Sequence, residues 1–189
     1  MADTFPAFYV TGPVHHWIRL PGGVPLFLGT CESQPQVDFQ ETYKPVMNDL
    51  TGPNLPAQQV ATGQTATLGI ALNRFSYLTL RTMNAVIAPG TRGRSDRGLL
   101  TFGRTTIEMW QVFDNALVPS VRAVYPYLPA GWYWPQLQLM KDTPAQLGNG
   151  KDVIRALSFQ AFPYINPDRS TTLYSEEDSA FPPDVLIPQ

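Results

Sequence analysis

The clearest pattern in the chain is a pair of alternating segments within residues 28–72. The apolar side of the first segment, which Glu41 interrupts, is formed by Val37, Phe39 and Tyr43. Its other side is polar and consists of Asp38, Gln40, Thr42 and Lys44. The apolar side of the second segment consists of Ala66, Leu68, Ile70 and Leu72, and its opposite side includes Thr65 and Thr67. A period of two residues predicts β-strands with one buried and one exposed side.

Residues 44–58 lie between these two strands and contain three prolines and a glycine. Proline removes a donor from a strand ladder, and glycine permits left-handed backbone geometry. The segment is therefore predicted to be a long loop, so the two strands form a broad hairpin with an extended loop at its tip.

Shorter patterns predict the remaining elements. Strands are expected over residues 14–20, 24–29, 105–113, 121–127, 132–140 and 153–162, with a turn over 141–151. Prolines inside the strands at 121–127 and 132–140 indicate an edge or a bulge. One helix is predicted over residues 74–87, with Asn73 as its N-cap and Pro89-Gly90 as its stop. The chain is thus predicted to be mainly β, with one helix.

The composition favours a surface that is covered by neighbours. The chain has 189 residues, which suits one domain, with an N-terminal arm over about 1–12 and an extended C-terminal arm over about 163–189. Charged residues make up only 15%, against roughly 25% in average proteins. So few charges suit a subunit of an assembly better than a lone monomer. The 19 prolines fit many short strands joined by structured loops.

The charge and the N-terminus limit the classes of partner and compartment. The net charge of −2 gives no general attraction to nucleic acid. The N-terminus lacks the basic start and the sustained apolar run that predict a signal peptide. No apolar stretch reaches the length of about 18 residues that predicts a membrane-spanning helix. We expect a protein of the cytoplasm, or of a particle assembled there, with no membrane contact.

The residue types that carry catalysis or bind metals form no recognisable set. His15 and His16 are neighbours in a predicted strand, so they point to opposite sides and cannot chelate one metal together. Cys31 is the only cysteine and has no internal disulfide partner; an inert buried thiol is favoured over pairing with a histidine. No G-x-S-x-G elbow or phosphate-binding glycine pattern is present. No catalytic residue, cofactor or metal is expected, and an enzyme is the last of the hypotheses.

Two clusters have more than one interpretation. The arginines at positions 92, 94, 97 and 104 fit an anion site, a solvated loop, or ion pairs with an acidic surface of another subunit. The ion pairs are favoured, because Asp49 and the acidic run at 176–178 supply suitable partners and arginine has a bidentate fork. The aromatic residues Trp132, Tyr133 and Trp134, with Tyr125 and Tyr127, fit a sugar- or base-stacking platform, but core or interface anchors are favoured.

Several motifs in order resemble the tail tube proteins of long-tailed bacteriophages. A short strand into Gly29-Thr30 is followed by the first arm of the hairpin and by Asp49-x-Thr51-Gly52-Pro53. The second arm then carries Gly63-x-x-Ala66-x-Leu68. The later segment DVIRALSFQAFPYINP, with Leu173-Tyr174 after it, resembles that family's last strand. The resemblance spans most of residues 29–174.

The resemblance implies a β-sandwich or partial barrel with one flanking α-helix, whose copies form a hexameric ring. In this arrangement the hairpins would pair edge to edge and close an inner barrel with no open edges. The rings would stack into the tube that delivers the genome into the host. The expected partners are further copies of the chain, the tail sheath, tape-measure, terminator and baseplate proteins, and DNA in passage. The expected location is the virion tail, assembled in the host cytoplasm.

In this arrangement, the hairpin would supply the residues that line the tube. Its polar side lacks arginine and would not hold phosphates, because grip on DNA comes from Lys and Arg. The residues expected to line the lumen are Asp38, Gln40, Thr42, Thr65 and Thr67. Those expected at contacts between subunits or rings are Lys44, Asn48, Asp49, Leu50, Arg92, Arg94 and Arg97. The alternatives are a tail terminator, a capsid decoration protein, or a carbohydrate-binding β-sandwich that uses Trp132, Tyr133 and Trp134.

Overall fold

The structure is a computed structural model that describes residues 13–31, 35–47, 56–87, 106–114, 118, 129–146 and 154–186. The strands are β1 Val14–Arg19, β2 Pro25–Cys31, β3 Gln36–Met47, β4 Pro56–Leu72, β5 Arg74–Phe75, β6 Ile107–Phe113, β7 Gly131–Gln146, β8 Ile154–Ala161, β9 Tyr164–Ile165 and β10 Thr171–Thr172. The helix α1 spans Tyr77–Ile87, and two short 3-10 helices span Asp178–Ala180 and Pro183–Val185. No described helix combines the length and the apolar character that crossing a membrane requires.

Eight of these strands form one antiparallel sheet in the order β3-β4-β8-β7-β6-β1-β2-β5. The last strand in this order, β5, follows β4 in the chain after Asn73 alone, and it pairs with β2 through Gly29 and Thr30. The sheet therefore curls round and meets the continuation of its own second strand. This confirms the mainly β fold with a partial barrel and one helix. The hairpin of β3 and the distal half of β4 extends from the barrel.

Gly29 makes the closure of the barrel possible. A Cβ atom at this position would lie 2.4 Å from the carbonyl oxygen of Arg74, far closer than real Cβ contacts. The backbones of β2 and β5 approach so closely that only a residue without a side chain fits between them.

The barrel interior is packed with apolar side chains that alternate with outward residues along each strand. Its largest fully buried members include Ile18, Leu28, Leu68, Leu72, Ile107, Met109, Trp134, Leu137 and Phe159. A second apolar cluster lies on the outer side of β1 and β6 and consists of Trp17, Trp110, Val112, Ala130, Phe181 and Val185. Strands β1 and β6 are thus buried on both sides.

The C-terminal segment covers this second cluster. The sequence predicted an extended arm over residues 163–189, and its described part packs on the barrel. Ser175 pairs with Tyr133 through two backbone hydrogen bonds of 2.8 and 2.9 Å. Phe181 is 5% exposed, and the carbonyl oxygen of Ala180 accepts a 2.7 Å hydrogen bond from Trp110 Nε1. Burial of its apolar side chains holds the segment in place.

The helix begins later than predicted. Residues 74 and 75 form β5 and not the first helical turn, because barrel closure takes their backbone groups. Asn73 is not the N-cap; its N–H donates to the carbonyl oxygen of Thr30 at 3.1 Å. Ser76 takes the capping position, since its hydroxyl accepts from Thr79 N–H at 3.3 Å and its carbonyl oxygen accepts from Leu80 N–H at 3.0 Å.

Two predicted connections are partly strand. The pairing of β3 with β4 continues to Met47 and Pro56, so residues 44–47 and 56–58 of the predicted loop are strand. Residues 48–55 lie outside the described residues. Pro45 is accommodated because β3 is an edge strand, where a missing donor breaks no ladder. The turn predicted over 141–151 is wrong as far as Gln146, where β7 ends. The strand predicted over 121–127 lies outside the described residues.

Candidate assembly surface

The hairpin has two edges that no other described strand covers. Strands β3 and β4 pair from Gln36 with Gly69 to Met47 with Pro56. Strand β8 pairs with β4 only from Ala66 to Leu72. On their outer sides, the whole of β3 and residues 56–65 of β4 therefore lack a strand partner within the described part of the chain. A long edge with open N–H and C=O groups is a template for pairing with another chain.

One side of the hairpin gathers the polar residues that the alternation singled out. Asp38 lies directly opposite Thr67, and Gln40 lies directly opposite Thr65. Thr42 follows on the same side, because side chains alternate with a period of two. Asp38, Gln40 and Thr42 are exposed, while the two threonines of β4 are half-buried. The structure brings these five residues together on one side of the sheet, and their role in a lumen stays a prediction.

The polar side extends further across the sheet than the sequence analysis indicated. Thr67 pairs with Gln160 on β8, and Gln160 pairs with Gln138 on β7. A row of four side chains thus runs from Asp38 to Gln138 across four strands, and it contains no Lys or Arg. The signal was present in the sequence, because Ser158 and Gln160 alternate with the buried Leu157 and Phe159.

The opposite side of the hairpin is apolar at its base and exposed further out. Val37 packs partly buried against the barrel interior, whereas Phe39 is 45% and Tyr43 50% exposed. Glu41, the polar exception on this side, accepts a hydrogen bond from the Tyr43 hydroxyl. That hydrogen bond raises the pKa of Tyr43 above its usual value. Exposed aromatic side chains on an extended ribbon are typical of a contact surface.

The predicted contact residues are only partly described. Lys44 is exposed on β3. The other residues assigned to contacts between subunits or rings, Asn48, Asp49, Leu50, Arg92, Arg94 and Arg97, lie outside the described residues.

The two histidines lie on opposite sides of β1, as the alternation predicts. His15 faces outward, with Nδ1 3.0 Å from Thr30 Oγ1 and Nε2 3.2 Å from Asp114 Oδ1. His16 faces the interior, where neither ring nitrogen has a hydrogen-bond partner. Burial lowers the pKa of His16 to about 3, so its ring is neutral at neutral pH. Within the described residues, no three His, Cys, Asp or Glu side chains come together as a metal site.

The predicted stacking platform is not assembled as one surface. Tyr133 lies on the outer side of β7, stacked on Trp110 with ring centroids 5.3 Å apart, and donates to Glu108 at 2.9 Å. Burial and this hydrogen bond raise the pKa of Tyr133. Trp132 and Trp134 lie on the other side, and Trp134 donates to Gln111 at 2.8 Å inside the barrel. Tyr125 and Tyr127 lie outside the described residues.

Comparison with known proteins adds little to this geometry. No protein-family model matches the chain, and no curated protein matches it. Among solved structures, the chain is similar to one chain of the "Cryo-EM structure of the anti-feeding prophage (AFP) baseplate, 6-fold symmetrised". The TM-score is 0.36 and the identity 10%, over 82% of this chain and 90% of that chain. A similarity this weak supports no conclusion about function.

Proposed function

We propose that the chain is a structural protein of a bacteriophage particle, and specifically the subunit of the tail tube. The observation that carries this proposal is the hairpin with two open edges. An isolated hairpin of this length leaves many backbone donors and acceptors exposed, and a soluble protein normally protects such edges. Within the described part of the chain they remain open, and in the proposed assembly further copies of the chain cover them.

The two open edges are complementary. The outer edge of β3 in one copy would pair with residues 56–65 of β4 in the next copy. This contact joins two different surfaces, so it propagates head to tail and closes into a ring when the rotation per copy allows. The ring proposed is a hexamer, in which the joined hairpins form an inner barrel without open edges. Rings would then stack through residues 48–55 and the terminal segments.

The polar side of the hairpin suits the wall of a DNA channel. The row from Asp38 to Gln138 and the adjacent pair of Gln40 and Thr65 contain no Lys or Arg. Phosphate binding depends on these cationic side chains. A neutral or weakly acidic wall would let DNA pass without adhering to it. The protein would catalyse no reaction and would meet the sheath, tape-measure, terminator and baseplate proteins in the virion, after assembly in the host cytoplasm.

Electron microscopy of the purified protein tests the proposal. At high protein concentration, negative-stain images are expected to show rings and short tubes with a central hole. Compact monomers alone at the same concentration would contradict it. A tail terminator or a capsid decoration protein would have a similar build, so copies per particle must also be counted. A tube subunit is far more numerous than a terminator, and it is found in purified tails and not in tail-free heads.

The carbohydrate-binding alternative has less support. It requires Trp132, Tyr133 and Trp134 to present one surface, and Tyr133 faces away from the other two. Trp134 is also 1% exposed and belongs to the barrel interior. Binding of a glycan to the purified protein, lost in Trp132→Ala without loss of assembly, would restore this alternative.

A further inference from the structure

A small aromatic pocket opens where the hairpin, β7 and the C-terminal segment meet. It is lined by Val37, Phe39, Trp132, Trp134, Tyr174 and Glu176. The rings of Phe39, Trp134 and Tyr174 pack against one another, with centroid distances of 5.5 to 6.4 Å. Phe39 and Tyr174 are 45% and 40% exposed, so the mouth of the pocket is open to solvent.

The described lining of the pocket carries a negative charge. Among the described residues that line the pocket, Glu176 alone is charged, and its Oε1 accepts a 2.9 Å hydrogen bond from Trp132 Nε1. No ion pair involves Glu176 among the residues that the structure describes. The faces of the aromatic rings add negative potential, because each ring carries a quadrupole that attracts cations. A carboxylate beside several aromatic faces is an arrangement that recognises an organic cation.

The size of the pocket restricts the occupant to one small group. The volume of the pocket is about 70 Å³. Pockets for drug-sized ligands are larger, roughly 300–1,000 Å³. A sugar chain or a nucleotide would therefore not fit, whereas a single ammonium or guanidinium group would.

We propose that this pocket binds the cationic head group of an arginine or lysine side chain from a neighbouring copy of the chain. The assignment of the neighbour rests on the proposed ring. Val37 and Phe39 belong to β3, so the pocket borders the edge that the next copy would cover. A basic side chain entering here would come from outside residues 56–65 of the neighbour, which contain no Lys or Arg. It would stack on Phe39 and Tyr174 and pair with Glu176. Arginine suits this best, since its planar fork both stacks and binds a carboxylate through two hydrogen bonds.

The first experiment examines the pocket in the isolated chain, at concentrations where sedimentation shows monomers. The probes are N-acetyl-arginine amide and tetramethylammonium, titrated against tryptophan fluorescence, with methyl glucoside as an uncharged comparison. Both cations are expected to change the fluorescence saturably, and the glucoside is not. Glu176→Gln is expected to weaken cation binding at least about fivefold, because the carboxylate charge in the pocket is lost.

Matched variants separate the pocket from general effects. Glu177→Gln removes the same charge one residue away, outside the pocket lining, and is expected to bind the probes as the wild type does. Tyr174→Ala is expected to weaken binding about two- to fivefold, the effect of one exposed cation–π contact. Tyr164→Ala removes an equally exposed ring elsewhere and is expected to have no effect.

The second experiment examines the source of the cation. In assembly assays, Glu176→Gln is expected to raise the concentration needed for ring formation at least about fivefold relative to Glu177→Gln, as the lost cation contact would require. Cation binding in the monomer with equal assembly of these two variants would overturn the assignment of a neighbouring copy. Absence of probe binding in the wild-type monomer would overturn the pocket itself, whether or not rings form. Absence of rings in the wild type would instead contradict the proposed function.

Discussion

The open edge of β3 offers a direct test by proline substitution. In an extended strand, the N–H groups of successive residues point to opposite sides. Proline is tolerated in an edge strand where its nitrogen faces away from the partner. Pro45 therefore indicates that residues of odd number in β3 direct their N–H groups to the open edge and those of even number direct theirs to β4. The register shift between Thr42 and Tyr43 places its extra residue on β4, so the alternation along β3 continues through it. Glu41→Pro should remove a donor from the open edge, and Gln40→Pro should remove one from the hairpin.

The magnitude follows from the length of the edge. Residues 56–65 of β4 and the facing part of β3 would form about ten interchain hydrogen bonds, about one per paired residue. At a net 0.5–1.5 kcal/mol each, these contribute about 5–15 kcal/mol. Association itself costs about 4–15 kcal/mol, so the contact has little surplus. One lost donor and one unsatisfied carbonyl cost about 2 kcal/mol per interface, or about 12 kcal/mol across a hexamer.

Glu41→Pro is therefore expected to fold like the wild type and to fail to assemble. Urea unfolding should give a free energy within about 1 kcal/mol of the wild-type value, since no ladder bond within the chain is lost. Sedimentation velocity should show monomers at concentrations where the wild type forms rings. Glu41→Gln controls for the lost charge and should assemble. Gln40→Pro should destabilise the chain itself. Normal assembly of Glu41→Pro would refute the reasoning.

Three further predictions concern the barrel. Burial holds the folded-state pKa of His16 at about 3, against 6.5 for an unperturbed histidine side chain. As the pH falls, the unfolded chain takes up the proton first, so the stability is fully present above about pH 6.5 and decreases towards pH 3. In urea unfolding across this range, His16→Leu should show a shallower decline in stability. An equally steep decline would contradict the role of His16. Gly29→Ala should prevent folding or lower the melting temperature sharply in calorimetry, because its Cβ would meet Arg74 O at 2.4 Å; an unchanged melting temperature would mean that β2 and β5 do not close the barrel. Ser76→Ala should lower the free energy of unfolding by about 1 kcal/mol through loss of the helix cap, while Asn73→Ala should not remove a cap. If urea titrations showed the larger loss for Asn73→Ala, Asn73 would be the cap, as predicted from the sequence.

The alternation in the sequence was sufficient to predict the hairpin and its two sides. Thr65 and Thr67 face Gln40 and Asp38 because a period of two fixes which residues share a side, and apolar burial fixes which side faces the core. The alternation of apolar and polar residues depends only on the sequence of each strand, so tertiary contacts do not change it. The same rule applied to β8 would have added Gln160.

Features that depend on distant pairing were not predictable in this way. Residues 74 and 75 continue a helical spacing, and only the approach of β2 draws them into a strand. Pro45 reads as a loop residue until the strand is known to lie at an edge. The aromatic pocket is formed by β3, β7, Tyr174 and Glu176. The two strands are far from Tyr174 and Glu176 in sequence, and they meet only because the C-terminal segment folds back. Tertiary contacts decided each of these outcomes.

A cryo-EM reconstruction of the assembled protein tests the central claim most directly. We expect a ring in which the outer edge of β3 forms a continuous ladder with β4 of the next copy, around a channel lined by Asp38, Gln40, Thr42, Thr65 and Thr67. An assembly in which the β3 edge stays unpaired, or in which these side chains face outward, would contradict it.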